Sequence, residues 1–454
     1  MELTRVMPVG IYVIPEEESG NLNTISNSEN NPVQAEKIEM LIKAEKRFHE
    51  FKEIIYNQHT QKIPYYVFFY GIGGILLGIL TNLITALVPV RDAIENPSHF
   101  FDSLPSRLSG LIIMAANFLL LFRYWTNTRC ILTIKHYGLS LLLTSIVMIC
   151  IAVIQNIIWT RILGYQLPIP FKQAVVGIPI VITNSMAIWC LVPTEWRRID
   201  DFRKRYKFFV ANMVFQSFMY FEYIAMGLLF DVVSNEYQWA VSITLPFLRE
   251  ANIWIQEKIA YKSADSKDAS VSISVIHSVN TRHCVFLSVM VGTKATNLSS
   301  WIILFADFFY NLYLALRLVW IKKMKPKNER NDREMFHLLF SLTINELVEV
   351  VIPLTFLICF LTAFYGPNAE LIGGVRSTHF HYKPVLDIHG FIQKMTLFLM
   401  VDFCSIVFVA LILRIFCKIS LVQAYATMLK EFWLIITVST AFIVWTVIFQ
   451  NEFI

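Results

Sequence analysis

Residues 337–363 read HLLFSLTINELVEVVIPLTFLICFLTA, an apolar run that carries two carboxylates near its middle. A helix needs about 20 apolar residues to cross the hydrocarbon core of a bilayer, so this run is long enough to span. Glu346 and Glu349 are three residues apart, which places them on one face of a helix. The stretch therefore predicts a transmembrane helix that carries acidic groups into the membrane.

The composition of the whole chain agrees with this prediction. Its 454 residues are 56% hydrophobic and 16% charged, and the mean hydropathy is +0.53. Soluble globular domains carry about 45–50% apolar and about 25% charged residues. The balance excludes a disordered chain, a coiled coil, a collagen-like fibre and an ordinary soluble enzyme. The basic residues flank apolar runs, so the predicted partner is the lipid bilayer and not a nucleic acid.

Further apolar segments of spanning length follow one another along the chain. With the run above, the predicted spans are residues 65–89, 107–125, 138–160, 173–193, 208–232, 299–321, 337–363, 394–416 and 431–449. Two shorter runs, 238–248 and 284–292, are interpreted as re-entrant, as interfacial or as an extra crossing. The predicted fold is an all-α polytopic integral membrane protein, a bundle of about nine transmembrane helices with a range of about eight to eleven.

Basic linkers predict the orientation of the bundle. Residues 1–63 form a polar region with a Ser/Asn-rich tail and an amphipathic helix, and residues 64–454 form the transmembrane domain. The linkers 195–207 and 322–333 are rich in Lys and Arg, which predicts that they face the cytosol. Counting crossings from them places the N-terminus in the cytosol and the C-terminus outside. The same count places segments 233–298 and 364–393 outside.

Acidic side chains inside the predicted spans are the main functional signal, because an ionisable group there costs about 2.5–3.5 kcal/mol on insertion scales. These are Glu222, Asp307, Glu346, Glu349 and Asp402. With a helical rise of about 1.5 Å per residue, all of them lie about 14–21 Å from the predicted cytosolic edge, near the midplane. No Lys or Arg falls at this depth in the predicted spans, so the layer is expected to lack a countercharge.

Further residues are assigned to the same layer. Asn345 lies beside the carboxylate pair, and Asn311 follows Asp307 by one turn, which predicts a hydrogen bond between them. Pro353 has no N–H and clashes with the carbonyl of Glu349, so an interrupted helix is expected. Interrupted helices hold cations in transporters.

The layer allows three interpretations: structural contacts between helices, handling of a cation or proton, and a pocket for an amine-bearing molecule. We interpret it as the route of a transporter or channel for a small cation, a proton or a proton-coupled solute. The alternative is a chemosensory or signalling receptor that recognises its ligand with segments 233–298 and 364–393. A structural subunit of a larger complex is the third hypothesis.

Sequence motifs of other chemistries are absent. The chain has no Gly-x-x-x-x-Gly-Lys and no Gly-x-Gly-x-x-Gly, which argues against an ATP-driven pump. It has no Gly-x-Ser-x-Gly and no His-Glu-x-x-His, the marks of common hydrolases. Its seven cysteines include no Cys-x-x-Cys pair. We therefore predict no enzymatic activity, no cofactor and no resident metal.

Gly74 and Gly78 form a Gly-xxx-Gly face in the first predicted span. Small residues at this spacing let two helix backbones approach closely. The pair predicts either an internal seam or a contact between subunits of an oligomer.

Overall fold

The computed structural model describes residues 194–264, 269–325, 328–366 and 388–426, together with Met428 and isolated positions between 73 and 192. The helices are α1 (Thr194–Arg198), α2 (Asp200–Val232), α3 (Gln238–Ala264), α4 (Ala269–Val289), α5 (Asn297–Met324), α6 (Glu329–Tyr365) and α7 (Ile388–Ile412). A π-helical turn follows α4 at Met290–Lys294, and another follows α7 at Leu413–Cys417. The described part of the chain is all-helical.

Four helices in the described ranges are long and apolar enough to cross a membrane. They are Asp200–Val232, Asn297–Met324, Asn331–Thr362 and Ile388–Cys417. They coincide with the predicted spans 208–232, 299–321, 337–363 and 394–416, and they are compatible with an integral membrane protein. The other predicted spans, residues 1–63 and both termini lie outside the described residues, apart from isolated positions.

Segment 233–298, which the sequence predicted to lie outside with two short apolar runs, is mostly helical in the described residues. Its two short apolar runs are parts of longer helices, because α3 has 27 residues and α4 has 21. At about 1.5 Å per residue these helices are roughly 40 and 32 Å long. α3 packs against α2, α4 and α5, and α4 also packs against α6. The second outer segment, 364–393, lies largely outside the described residues.

The apolar runs within α3 and α4 are much shorter than the helices themselves, because polar side chains occur at regular intervals along both helices. Arg249, Asn252 and Gln256 follow one another at helical spacing on α3, and all three are buried. The opposite face of α3 is apolar and exposed, with Phe247 at 72% and Trp254 at 48%. A polar interior and an apolar exterior are the reverse of a soluble helix, and they favour contact between α3 and lipid.

Helix α6 lies at the centre of the described bundle, packed against α4, α5 and α7. Its contacts with α4 are in a fixed register. Ser272 of α4 bonds to His337, and Asn280 bonds to Asn345, and the partners in each pair are 65 positions apart in the sequence. A constant separation means that α4 and α6 run parallel and in step from the end of the bundle where α6 begins.

The π-helical turn Met290–Lys294 brings the backbone against α7. A Cβ built on Gly292 would lie 2.6 Å from Cε2 of Phe391 and 2.9 Å from its Cδ2. The Phe391 ring packs against Phe356 and Phe360, with centroid distances of 6.2 and 4.3 Å. Glycine is therefore required at this close approach.

Candidate functional site

A buried arginine lies at the centre of the acidic layer. The Nη1 group of Arg249 on α3 donates to Oδ1 of Asp307 on α5 at 3.0 Å and to Oε1 of Glu349 on α6 at 3.3 Å. The side chain of Arg249 is completely buried, and those of the two acids are 3% and 2% exposed. Its guanidinium carbon also lies 4.3 Å from the centre of the Tyr310 ring. This residue ties three helices together.

The expectation that the layer lacks a countercharge is therefore wrong. Arg249 follows the short apolar run 238–248, so it was interpreted as part of an outer segment. The folded chain continues that run as α3 and turns Arg249 inward. The helical spacing of Arg249, Asn252 and Gln256 was the sequence signal that could have revealed it.

The second oxygen of Glu349 is also bonded. Nδ2 of Asn311 donates to Oε2 of Glu349 at 2.5 Å. The sequence predicted that Asn311 would bond to Asp307 on its own helix, and this prediction is wrong. An interhelical bond takes its place because Asn311 and Asp307 share the face of α5 that packs on α6.

Two more carboxylates complete the cluster from α6 and α7. Oγ of Ser405 donates to Oε1 of Glu346 at 2.9 Å, and both side chains are buried. Asp402, one turn before Ser405, is 3% exposed and lies close enough to Glu346 and Glu349 for their charges to interact. Oε2 of Glu346 and Oδ2 of Asp402 have no hydrogen-bond partner within the described part of the chain.

We call Arg249, Asp307, Glu346, Glu349 and Asp402 the Arg249 cluster. It brings together four of the predicted acids, from α5, α6 and α7, and two of them, Asp307 and Glu349, bond to the guanidinium. Four carboxylates and one arginine leave an excess of negative charge when all are ionised. Such an excess in a water-poor interior is costly, so the cluster requires protons or another cation to balance it.

Glu222 is the predicted acid that lies apart. It is half-buried on α2, and its Oε2 accepts a hydrogen bond from Nδ2 of Asn252 at 2.8 Å. Asn252 lies one turn beyond Arg249 on α3. Glu222 is thus adjacent to the cluster through α3, but the described contacts do not include a direct bond to the arginine.

The remaining predicted site residues have different surroundings. Asn345 is buried and accepts a hydrogen bond from Asn280 of α4. α6 continues through Pro353 to Tyr365, so the expected interruption is not found. Gly74 and Gly78 lie outside the described residues.

Among the described residues, no group of three or more His, Cys, Asp or Glu side chains is arranged to hold a metal ion. The guanidinium of Arg249 instead lies between Asp307 and Glu349.

Comparison with models of protein families, with characterised proteins and with solved structures found no match. The described part of this chain is all-helical, and it has four helices apolar enough to span and a buried acidic cluster in which one arginine pairs with two acids.

Proposed function

We propose that this chain is an integral membrane protein that moves protons through the Arg249 cluster down their electrochemical gradient. The excess of buried carboxylates over basic groups is the observation that carries the proposal. Carboxylates that share a buried site favour uptake of protons, because protonation relieves their mutual repulsion. Ionisable groups placed within membrane helices commonly mark ion and proton routes.

A proton fits the cluster better than a metal cation does. A metal ion such as Ca²⁺ or Mg²⁺ is bound by several oxygen ligands with free lone pairs. Here the amide of Asn311 and the hydroxyl of Ser405 direct donors at carboxylate oxygens. Arg249 already occupies the space between Asp307 and Glu349, and its positive charge repels a second cation.

Glu346 and Asp402 are the groups that we assign to proton exchange. Both are buried, and the described contacts include no bond from either acid to Arg249. Each also has one side-chain oxygen with no partner among the described residues. Asp307 and Glu349 have a different role, since their bonds to Arg249 hold α3, α5 and α6 in place.

The receptor hypothesis ranks second. It assigned ligand recognition to segments 233–298 and 364–393, and most residues of the first segment belong to α3 and α4. The buried polar groups of those helices suit a transport route. The receptor hypothesis gives these groups no role, because it places ligand recognition in outer segments.

Proton flux is the direct test. The full-length protein is reconstituted in liposomes that contain a pH-sensitive dye, and a potassium diffusion potential drives proton entry. We expect flux above that of protein-free liposomes, and we expect Glu346→Gln and Asp402→Asn to abolish it. Glu236→Gln is the matched control, because Glu236 is an exposed acid in the turn between α2 and α3.

Two results would overturn the proposal. One is a wild-type protein that gives no more flux than protein-free liposomes under the imposed potential. The other is normal flux in the folded double variant Glu346→Gln with Asp402→Asn, with folding checked by size-exclusion chromatography and thermal unfolding.

A further inference from the structure

A row of polar side chains leads from the Arg249 cluster to the end of the bundle where α6 begins. On α6, His337, Asn345 and Glu349 are separated by multiples of four residues, so they follow one inclined ridge of the helix. The twelve positions from His337 to Glu349 correspond to about 18 Å at the helical rise. The row therefore covers more than half of a hydrocarbon core of about 30 Å.

Helices α3 and α4 supply the other side of this row. Asn280 of α4 donates to Oδ1 of Asn345 in the middle of the row. Gln256 of α3 is completely buried, and the next residue, Glu257, accepts a hydrogen bond from Ser272. We call Gln256, Asn280, Asn345, Ser272, Glu257 and His337 the polar lane.

Several buried polar atoms on the helices of the lane are not satisfied by the described protein groups. Neither side-chain polar atom of Gln256 has a hydrogen-bond partner among the described residues, and Gln256 is 0% exposed. The same holds for Oδ1 of Asn280 and Nδ2 of Asn345, each in a side chain 1% exposed. An unsatisfied buried polar atom costs about 1–3 kcal/mol. Buried water normally bonds to such atoms.

One end of the lane reaches the surface. Nε2 of His337 lies 2.6 Å from Oγ of Ser272 and 3.3 Å from Oε1 of Glu257. The His337 side chain is 30% exposed and that of Glu257 is 12% exposed, whereas the groups deeper in the lane are buried. Imidazole and carboxylate groups both exchange protons with water, so this end can pass protons to the lane.

We infer that the polar lane is a hydrated path that delivers protons from the His337 end of the bundle to the Arg249 cluster. This inference rests on the proposed function and adds to it the access route and its direction. In this inference, a chain of water molecules fills the lane and carries the protons. Lys322 and Lys323 end α5 at the same end, which places that end on the cytosolic side by the positive-inside rule.

The first test removes the polar atoms of the lane and measures flux in the liposome assay. Gln256→Leu and Asn280→Leu keep the side-chain size close to the original but cannot bond to water. We expect each variant to lose most of the proton flux. Gln216→Leu is the matched control, because Gln216 is a buried glutamine of α2 that lies beside Arg282 and outside the lane. We expect it to retain flux.

The second test detects water in the lane without measuring transport. Asn280→Cys is prepared in a full-length chain whose seven native cysteines are replaced by serine or alanine. A small, water-soluble methanethiosulfonate reagent should modify this cysteine when added from the His337 side. His337→Phe, which places an apolar ring at the entrance, should slow the modification.

The outcomes separate the two proposals. An unmodified Asn280→Cys protein, or normal flux in both Leu variants, would overturn the lane. If flux in those Leu variants persists while Asp402→Asn abolishes it, the proposed function stands and protons reach the cluster by another route. If the wild type shows no flux, the proposed function fails, whatever the cysteine result.

Discussion

Arg249 and Asp307 are joined by a hydrogen bond of 3.0 Å from Nη1 to Oδ1, although 58 residues separate them in the sequence. The bond links α3, which hydropathy detects only in part, with α5, which it detects as a candidate span. The net charge of the acidic layer therefore includes the positive charge of Arg249 on α3.

The first prediction concerns the stability that Arg249 provides. Arg249→Gln should lower the free energy of unfolding by about 3–5 kcal/mol, because it leaves Asp307 and Glu349 buried without their partner. Thermal unfolding of the purified protein in detergent measures the loss. Adding Glu349→Gln to the variant removes one unpaired charge and should recover part of it. An additive effect of the two substitutions would contradict the pairing.

The second prediction separates Glu222 from the cluster. Glu222→Gln should leave proton flux close to the wild-type rate, because this acid bonds to Asn252 and a glutamine oxygen can accept the same bond. The liposome assay measures it beside Asp402→Asn. Loss of flux in a correctly folded Glu222→Gln protein would place Glu222 in the route, as the sequence alone suggested.

The third prediction concerns Gly292 at the π-helical turn. Gly292→Ala should lower the free energy of unfolding by about 1–3 kcal/mol, because its Cβ overlaps the confined ring of Phe391. Gly227→Ala in α2 is the control, since its Cβ would meet only Phe286 at 3.8 Å. That change should be neutral or stabilising by up to about 1 kcal/mol, as alanine is the better helix former. Equal effects of the two substitutions would refute the close approach.

The fourth prediction tests whether α3 lies in the lipid. In the cysteine-free background, Phe247→Cys should resist a membrane-impermeant maleimide, because Phe247 lies on the exposed apolar face of α3. Glu236→Cys, in the turn before α3, should react readily. Rapid labelling of both cysteines in liposomes would show that this face of α3 meets water.

The sequence predicted the apolar helices well and the polar helices poorly. Hydropathy located α2, α5, α6 and α7 because most side chains on those helices are apolar. It found only parts of α3 and α4, as the short runs 238–248 and 284–292, because their inward faces carry Arg249, Asn280 and other polar groups that lower the average. Those groups contact partners far away in the sequence, and composition does not report such contacts.

The site was predicted in the same uneven way. Asp307, Glu346, Glu349 and Asp402 could be found because a carboxylate is conspicuous in an apolar run. Their partners could not be assigned, since the choice between two neighbours of Asn311, one on α5 and one on α6, depends on how the helices pack. Depth along a helix follows from the sequence, whereas the direction of a side chain around the helix axis requires the fold.

The constant register between α4 and α6 has a mechanical consequence. The pairs Ser272–His337 and Asn280–Asn345 are eight positions apart on both helices, so a slide of one helix along the other breaks both contacts at once. A helical turn is about 5.4 Å long, and a shift of that size would break both contacts between α4 and α6, leaving Ser272 and His337, among the described side chains, only their contacts with Glu257 of α3. The two helices are thus linked at two levels, and a movement that carries them together keeps both contacts.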